Sequence, residues 1–269
     1  MHAFWPAKTN RTKSKRSLTV GKLEEKVAIV TGAGQGMGRA IAHSLAEQGA
    51  SVVVNDINEN TAKATVSDIK NFNPAVISYV GNVTNIHDVE QMIKHAESNF
   101  GHTDVLVNNA GVLRPTPLLQ ISEEEWDYVV EGNLKSTFLC SKAVLPAMQQ
   151  NRWGRIINIS SSAGKNVSTI GGAHYTAGKA AVLGLTRHAA KEVAEYGITV
   201  NAVCPGLIET EMVSSTISDE RKHEYADMFP AKRLGQPSEV ADLVAFLASD
   251  QASYITGASI DINGGDLMI

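Results

Sequence analysis

Seven short runs rich in Val and Ile recur along the chain: Val27–Thr31, Ser51–Asn55, Val76–Val80, Asp104–Asn108, Arg155–Ser160, Thr199–Cys204 and Ser259–Ile262. Most are followed by a turn and then by a stretch with helical periodicity, such as Met37–Glu47, Ile86–Asn99 and Ala177–Glu195. A strand exposed on one face alternates apolar with polar residues; these runs largely do not. They are buried on both faces, which implies parallel strands covered by helices on each side. Seven such strands alternating with helices predict a single α/β domain built on a doubly wound parallel sheet.

The chemistry-bearing residues fall at strand ends. The first strand runs into Thr31-Gly32-Ala33-Gly34-Gln35-Gly36-Met37-Gly38-Arg39. Glycines at a strand-to-helix turn let the backbone approach a pyrophosphate, and the following helix N-terminus offers free N–H groups and a positive dipole end. The second strand ends at Asp56, where a carboxylate accepts hydrogen bonds from a ribose 2′-hydroxyl and repels a 2′-phosphate. Gln35, Ile57 and Asn58 are all neutral, so NAD(H) is expected over NADP(H). The pattern is that of a Rossmann-type dinucleotide site.

Four motifs in order then resemble the classical short-chain dehydrogenases/reductases, with the match spanning residues 24–269. Thr31–Gly38 is similar to the family's TGxxxGxG loop, and Asn108-Asn109-Ala110-Gly111 to its NNAG. Tyr175 to Lys179 is similar to its YxxxK, and Pro205, Gly206 and Thr210 to its PGxxxT. The resemblance lies closest to the branch of 3-oxoacyl-carrier-protein reductases and NAD-dependent secondary-alcohol dehydrogenases. It implies that Gly32, Gln35, Gly36, Met37, Gly38, Asp56, Asn82, Val83, Asn109, Ala110, Gly111, Tyr175, Lys179, Pro205, Gly206, Ile208 and Thr210 bind the cofactor. It also implies that Asn133, a serine, Tyr175 and Lys179 are catalytic, with Asn133 holding a water on the proton path. Asn109 is expected beneath the adenosine ribose. Asn82 stands where the family commonly has aspartate, and its amide oxygen is expected to face the adenine amino group.

The tyrosine and lysine can also be argued from the residues. Four positions apart on a helix, they share one face. A phenol with a pKa near 10 is a poor base. An ammonium about 5 Å away, at an effective dielectric near 20, favours the phenolate by about 3 kcal/mol, or about two pKa units. The serine is open between two candidates. The strand count and the family's S-x-A-G point to Ser161; counting thirteen residues back from Tyr175 points to Ser162. Strand register favours Ser161. His174 and Glu209 match no family position and are expected to line loops, with His174 near the substrate.

Composition bounds the remaining functions. No run of about 18 apolar residues occurs, so no membrane span is expected. Cys140 and Cys204 allow neither a disulfide framework nor a zinc site and read as buried thiols of a reducing compartment, taken as the cytoplasm. No metal is expected. Residues 1–23 hold six basic side chains and no acidic one, leaving 18 basic against 28 acidic groups, or −10, on the rest. Such a body is a poor nucleic-acid partner. The tail reads as a mobile extension, with organelle targeting a weaker alternative. Residues 207–233 break the strand–helix rhythm and are expected to form a lid with apolar Met212, Met228 and Phe229 under an acidic cover. The lid's basic residues, Arg221, Lys222, Lys232 and Arg233, are outnumbered by its acids; with Glu195-Tyr196-Gly197 where carrier-protein reductases of this branch usually present basic residues, and with the NAD(H) preference, this favours a small secondary alcohol as substrate. A 3-oxoacyl-thioester reductase is the alternative, and a silent dinucleotide-binding redox sensor is the reading from another class. The resemblance further implies a homotetramer.

Overall fold

A computed structural model describes residues 23–269; the basic tail lies outside the described residues. The strands are β1 (Val27–Val30), β2 (Ser51–Asp56), β3 (Val76–Val80), β4 (Val105–Asn108), β5 (Gly154–Ile159), β6 (Ile198–Pro205) and β7 (Ser259–Ile262). All pair in parallel, in the order β3-β2-β1-β4-β5-β6-β7. Residues of β1, β4, β5 and β6 are buried without exception, as both-face burial demands.

Successive β1 side chains serve opposite layers. Ala28 and Val30 pack with Ile41, Leu45, Val244 and Leu247 of α1 (Gly36–Glu47) and α9 (Pro237–Ala248). Ile29 packs with Met92, Val144 and Val193, from α3 (Ile86–Phe100), α5 (Ser136–Asn151) and α6 (Ala173–Val193). On the first side α2 (Glu59–Lys70) completes the cover.

The chain reverses direction across the sheet between β1 and β4, and ligands of doubly wound sheets bind outside the strand C-termini at that point. Helix α4 (Glu123–Val130) runs through a π-helical turn at Glu131–Lys135 into α5. A π-turn widens the helix and often accompanies a functional site. Helix α6 starts at Ala173, four residues before the sequence expectation, because backbone geometry at Gly172 already launches it. The lid segment holds α7 (Glu211–Thr216) and α8 (Asp219–Met228). Leu207, Val213, Phe229 and Leu234 give it a small core of its own, whereas Met228 stays exposed. Among the described residues no helix is long and apolar enough to cross a membrane.

Candidate active site

Two cavities open at the C-terminal edge of the sheet. The larger, about 390 Å³, is lined by Gly32, Gln35, Gly36, Met37, Gly38, Asp56, Asn82, Val83, Asn109, Ala110, Gly111 and Thr210 among others. The smaller, about 80 Å³, is lined by Ser161, Ser162, Tyr175, Gly206, Ile208 and Thr210 with apolar Leu113, Ile170, Leu207, Met212 and Val213. They share Met37, Thr210 and Met212. Lys179, Asn133 and Pro205 line neither; Lys179 and Asn133 are buried behind the walls, and Pro205 ends β6.

The larger cavity fits a dinucleotide. Gly36 adopts φ +54, and a Cβ there would meet nothing closer than 3.4 Å, so this face is open. A Cβ on Gly38 would lie 2.2 Å from the Gly32 carbonyl oxygen, so only glycine lets α1 pack so tightly on the loop. The N-cap of α1, Gln35, makes no side-chain cap and the first turn holds no acid. Its free N–H groups and dipole end are left for an anion.

The polar side chains of this cavity brace its walls. Asn109 Nδ2 donates to the carbonyls of Thr31 (2.9 Å) and Gly32 (3.0 Å). The Asn82 amide oxygen accepts from the Thr84 N–H (3.0 Å) and hydroxyl (2.9 Å), so it caps a turn and is not free for adenine as the sequence suggested. Asp56 is similarly occupied: Oδ2 accepts from the Gly34 N–H and Oδ1 from the Asn58 N–H, each at 2.9 Å. Arg39 pairs at 3.5 Å with Glu211 of the lid.

The second cavity gathers the reacting groups. The Ser161 hydroxyl accepts from the Ala163 N–H at 3.1 Å and lines the same cavity as Tyr175, where it acts on the phenol in the direction that lowers its pKa. Both serines line this cavity with Tyr175, and of the two only Ser161 figures among the causes that shift the phenol. Ser160 points away and donates to the Lys179 carbonyl at 2.8 Å. Lys179 Nζ donates to the Ile159 carbonyl at 2.8 Å and lies 5.7 Å from the Tyr175 ring centre. Burial lowers its pKa to about 8, with the neighbouring Cys204 opposing. Tyr175 differs from the expectation of a depressed phenol. Burial pushes it above its ordinary value, and Ser161 only partly offsets this.

Asn133 occupies the π-helical turn, where Nδ2 donates to the Val112 (2.7 Å) and Val129 (2.8 Å) carbonyls. Its Oδ1 is buried without a partner. A Cβ on Gly111 would lie 2.7 Å from that oxygen and 3.4 Å from Lys179 Nζ, so both atoms face one gap.

His174 corrects the sequence reading. It is fully buried, lines neither cavity and touches Glu125, a contact that no local motif announces. Glu209 faces a separate surface hollow and accepts from Gln236. Both thiols are buried, which pushes Cys140 up to about 12 and Cys204 to about 11.

A family model described as Enoyl-(Acyl carrier protein) reductase matches residues 32–266. The 3-oxoacyl-(acyl-carrier-protein) reductase FabG of Staphylococcus aureus (strain Mu50) is 47% identical over 244 residues, 90% of this chain and 98% of the relative. The enzyme of the same name from Vibrio cholerae is 47% identical over 247 residues, covering 92% and 99%. That from Salmonella typhimurium is 45% identical over 246 residues, covering 91% and 99%. These relatives overturn the expected preference for NAD(H) over NADP(H), because such reductases are NADPH-dependent. The physical reason is that Asp56 has a structural use: both oxygens shape the glycine loop and the turn after β2. An acid there does not by itself report on a ribose. Sheet order, glycine loop, NNAG segment, Tyr175–Lys179 pair and near full-length identity agree, and the chain belongs to the short-chain dehydrogenase/reductase family, as an oxidoreductase of CH–OH or keto groups with NAD(P).

Proposed function

We propose that this chain reduces 3-oxoacyl thioesters to 3-hydroxyacyl thioesters, with Tyr175 as proton donor. The observation that best supports the direction is the name shared by the relatives, all 3-oxoacyl-(acyl-carrier-protein) reductases, with which the phenol agrees. Burial holds it protonated at neutral pH, the form that donates a proton to a ketone oxygen as that oxygen gains charge. Ser161, beside the phenol in the same cavity, orients that oxygen and donates to it. The apolar walls from Leu113, Ile170, Leu207, Met212 and Val213 suit an acyl chain beside the ketone.

When bound, the nicotinamide cofactor supplies the hydride; the glycine loop, Ala110, Gly111 and Thr210 would hold it. Lys179 keeps positive charge behind the phenol, which eases proton loss once transfer begins. The unpartnered Asn133 oxygen and the Lys179 ammonium face a shared gap beside Gly111, which suits a water on the path that returns a proton to Tyr175. An intact tyrosine and lysine in this arrangement leave little support for a silent redox sensor.

The sequence reading put a small secondary alcohol first and the thioester second. The relatives' names support the thioester reading. For the alcohol stands the pairing of lid cations with lid acids, Arg221 with Glu224 and Lys222 with Asp219. The family description's enoyl thioester is a third substrate. In that reaction charge develops on the thioester oxygen, two carbons away from the carbon that accepts hydride. Ser161 and Tyr175 line one cavity and would serve an oxygen in either reaction, so the relatives' names favour the ketone. For assembly we propose the homotetramer implied by resemblance; exposed Trp126, Phe138, Met268 and Ile269 are apolar surface that subunit contact would cover.

Purified protein assayed with NADPH and NADH against acetoacetyl thioesters, butanone, 2-butanol and crotonyl thioesters tests the substrate. The expected kcat/KM for acetoacetyl thioesters exceeds the others by at least about tenfold, or about 1.4 kcal/mol of differential transition-state binding. Faster turnover of the simple ketone and alcohol would replace the thioester reading with the alcohol one.

A further inference from the structure

One buried polar side chain with no part in the chemistry above sits against the acid's own backbone. His174 is fully buried. Its Nδ1 accepts the Tyr175 backbone N–H at 3.0 Å, and its Nε2 lies 2.9 Å from Glu125 Oε1. A ring nitrogen that accepts from an N–H carries no proton. The partners therefore define a neutral imidazole whose Nε2–H donates to the carboxylate.

The first N–H groups of a helix lack intrahelical acceptors. Helix α6 begins after Gly172, which has no side chain to offer as a cap. His174 supplies, for the Tyr175 N–H, the acceptor that a Ser or Asp cap would ordinarily provide. The imidazole is held in turn. Glu125 pairs with His174, and Thr116 and His174 together hold its carboxyl below the ordinary range. The Gly172 N–H donates to the Arg114 carbonyl at 2.7 Å. A Cβ on Gly172 would lie 2.6 Å from the Thr116 carbonyl oxygen and 2.7 Å from His174 Cε1. The loop after β4, the first turn of α4 and the first turn of α6 thus close on one imidazole.

We propose that Glu125 and His174 form a positioning relay for the proton donor: they fix the backbone from which Tyr175 projects, and through it the alignment of phenol, Ser161 and substrate oxygen. A tyrosine in a first helical turn sits where backbones fray. A displacement of about 1 Å at reacting atoms can cost about 10²-fold in rate. The relay rests on the reading of Tyr175 as the acid, and touches neither substrate nor cofactor.

Steady-state kinetics, cofactor titration by fluorescence and melting curves on four variants test it. His174→Leu should lower kcat at least about tenfold, with KM for the substrate and Kd for NADPH changed less than about twofold. His174→Asn, whose amide oxygen can accept the Tyr175 N–H, should regain most of that loss. Glu125→Ala, at a partly exposed residue and therefore tolerated by the fold, should lower kcat several-fold with the same unchanged Kd. Glu125→Gln, which keeps an acceptor for Nε2–H, should recover it. In a Tyr175→Phe background, His174→Leu should lower the residual rate no further. Wild-type kcat in both His174→Leu and Glu125→Ala would overturn the relay, as would equal losses in Leu and Asn or in Ala and Gln. If Tyr175→Phe is itself as active as wild type, the proton-donor reading fails first, and the relay with it.

Discussion

The two cavities that meet at Met37, Thr210 and Met212 are built in opposite ways. Around the larger one the polar side chains are spent on architecture. Asn109 ties β4 to the glycine loop, Asp56 shapes the loop and the following turn, and Asn82 caps its own turn. What remains for a ligand is largely backbone: glycines, free N–H groups and a helix dipole. Around the smaller one all lining residues but Gly206 carry side chains. Side chains from far-separated segments do the facing, Leu113, Ser161, Ile170, Tyr175 and Val213. A backbone site is broken by an added Cβ wherever the packing is tight, as at Gly38. A side-chain site can be retuned one residue at a time, so reaction class and substrate range are set by different parts of the fold.

The sharpest break between the halves is Tyr175→Phe. It should lower kcat by at least about 10²-fold while Kd for the cofactor stays within about twofold, because the phenol acts in the smaller cavity. Ser161→Ala should follow at about tenfold or more, and Ser162→Ala should stay within a few-fold, since of the two serines Ser161 is the one that acts on the phenol. A larger loss in Ser162→Ala would return the choice to the loop count. A Tyr175→Phe variant that loses cofactor affinity as steeply as turnover would erase the contrast.

Lys179 stands behind the smaller cavity and gives the next effect. Burial lowers it from 10.5 to about 8, so the fold disfavours its charged form. Below about pH 8 that cost is present in full. Between about 8 and 10.5 the folded lysine is neutral while the unfolded one is still protonated, and stability rises with pH over that window. The shift corresponds to about 3 kcal/mol at most. Lys179→Met should therefore raise Tm by several degrees at pH 7 while abolishing turnover. In the wild-type enzyme kcat/KM for reduction should fall as pH rises through about 8. A variant that melts lower would mean that the Ile159 hydrogen bond outweighs the buried charge.

What the sequence revealed divides along the same line. The strands were readable because both-face burial writes continuous Val and Ile runs, and the glycine loop because close backbone packing admits no other residue. Tyr175 and Lys179 were readable as neighbours because helical periodicity is local. The direction of the phenol's pKa was not, since burial depends on segments far away in the chain. Asp56 misled for the converse reason: a carboxylate at a strand end serves a ribose or its own loop, and only coordinates distinguish the two. Glu125 and His174, 49 residues apart, had no shared motif at all.

The mildest test of the comparison is Ile170→Ala. Ile170 lines only the smaller cavity and packs on Leu207, Val213, Phe229 and Leu234 of the lid core. Removing three carbons enlarges the cavity at its apolar wall and leaves the glycine loop untouched. The residue is half-buried, so the stability cost should sit at or below the low end for fully buried truncations, about 1–2 kcal/mol. The gain goes to substrates that reach the new space. Each added methylene accommodated there contributes about 0.8 kcal/mol, or about fourfold in kcat/KM. Acyl thioesters longer than acetoacetyl should improve by that factor relative to acetoacetyl itself, with Kd for NADPH unchanged. Kinetics across a chain-length series checks it. An unchanged chain-length profile would show that the acyl chain leaves by another wall, and a shift in cofactor affinity of comparable size would show that the two cavities are energetically one.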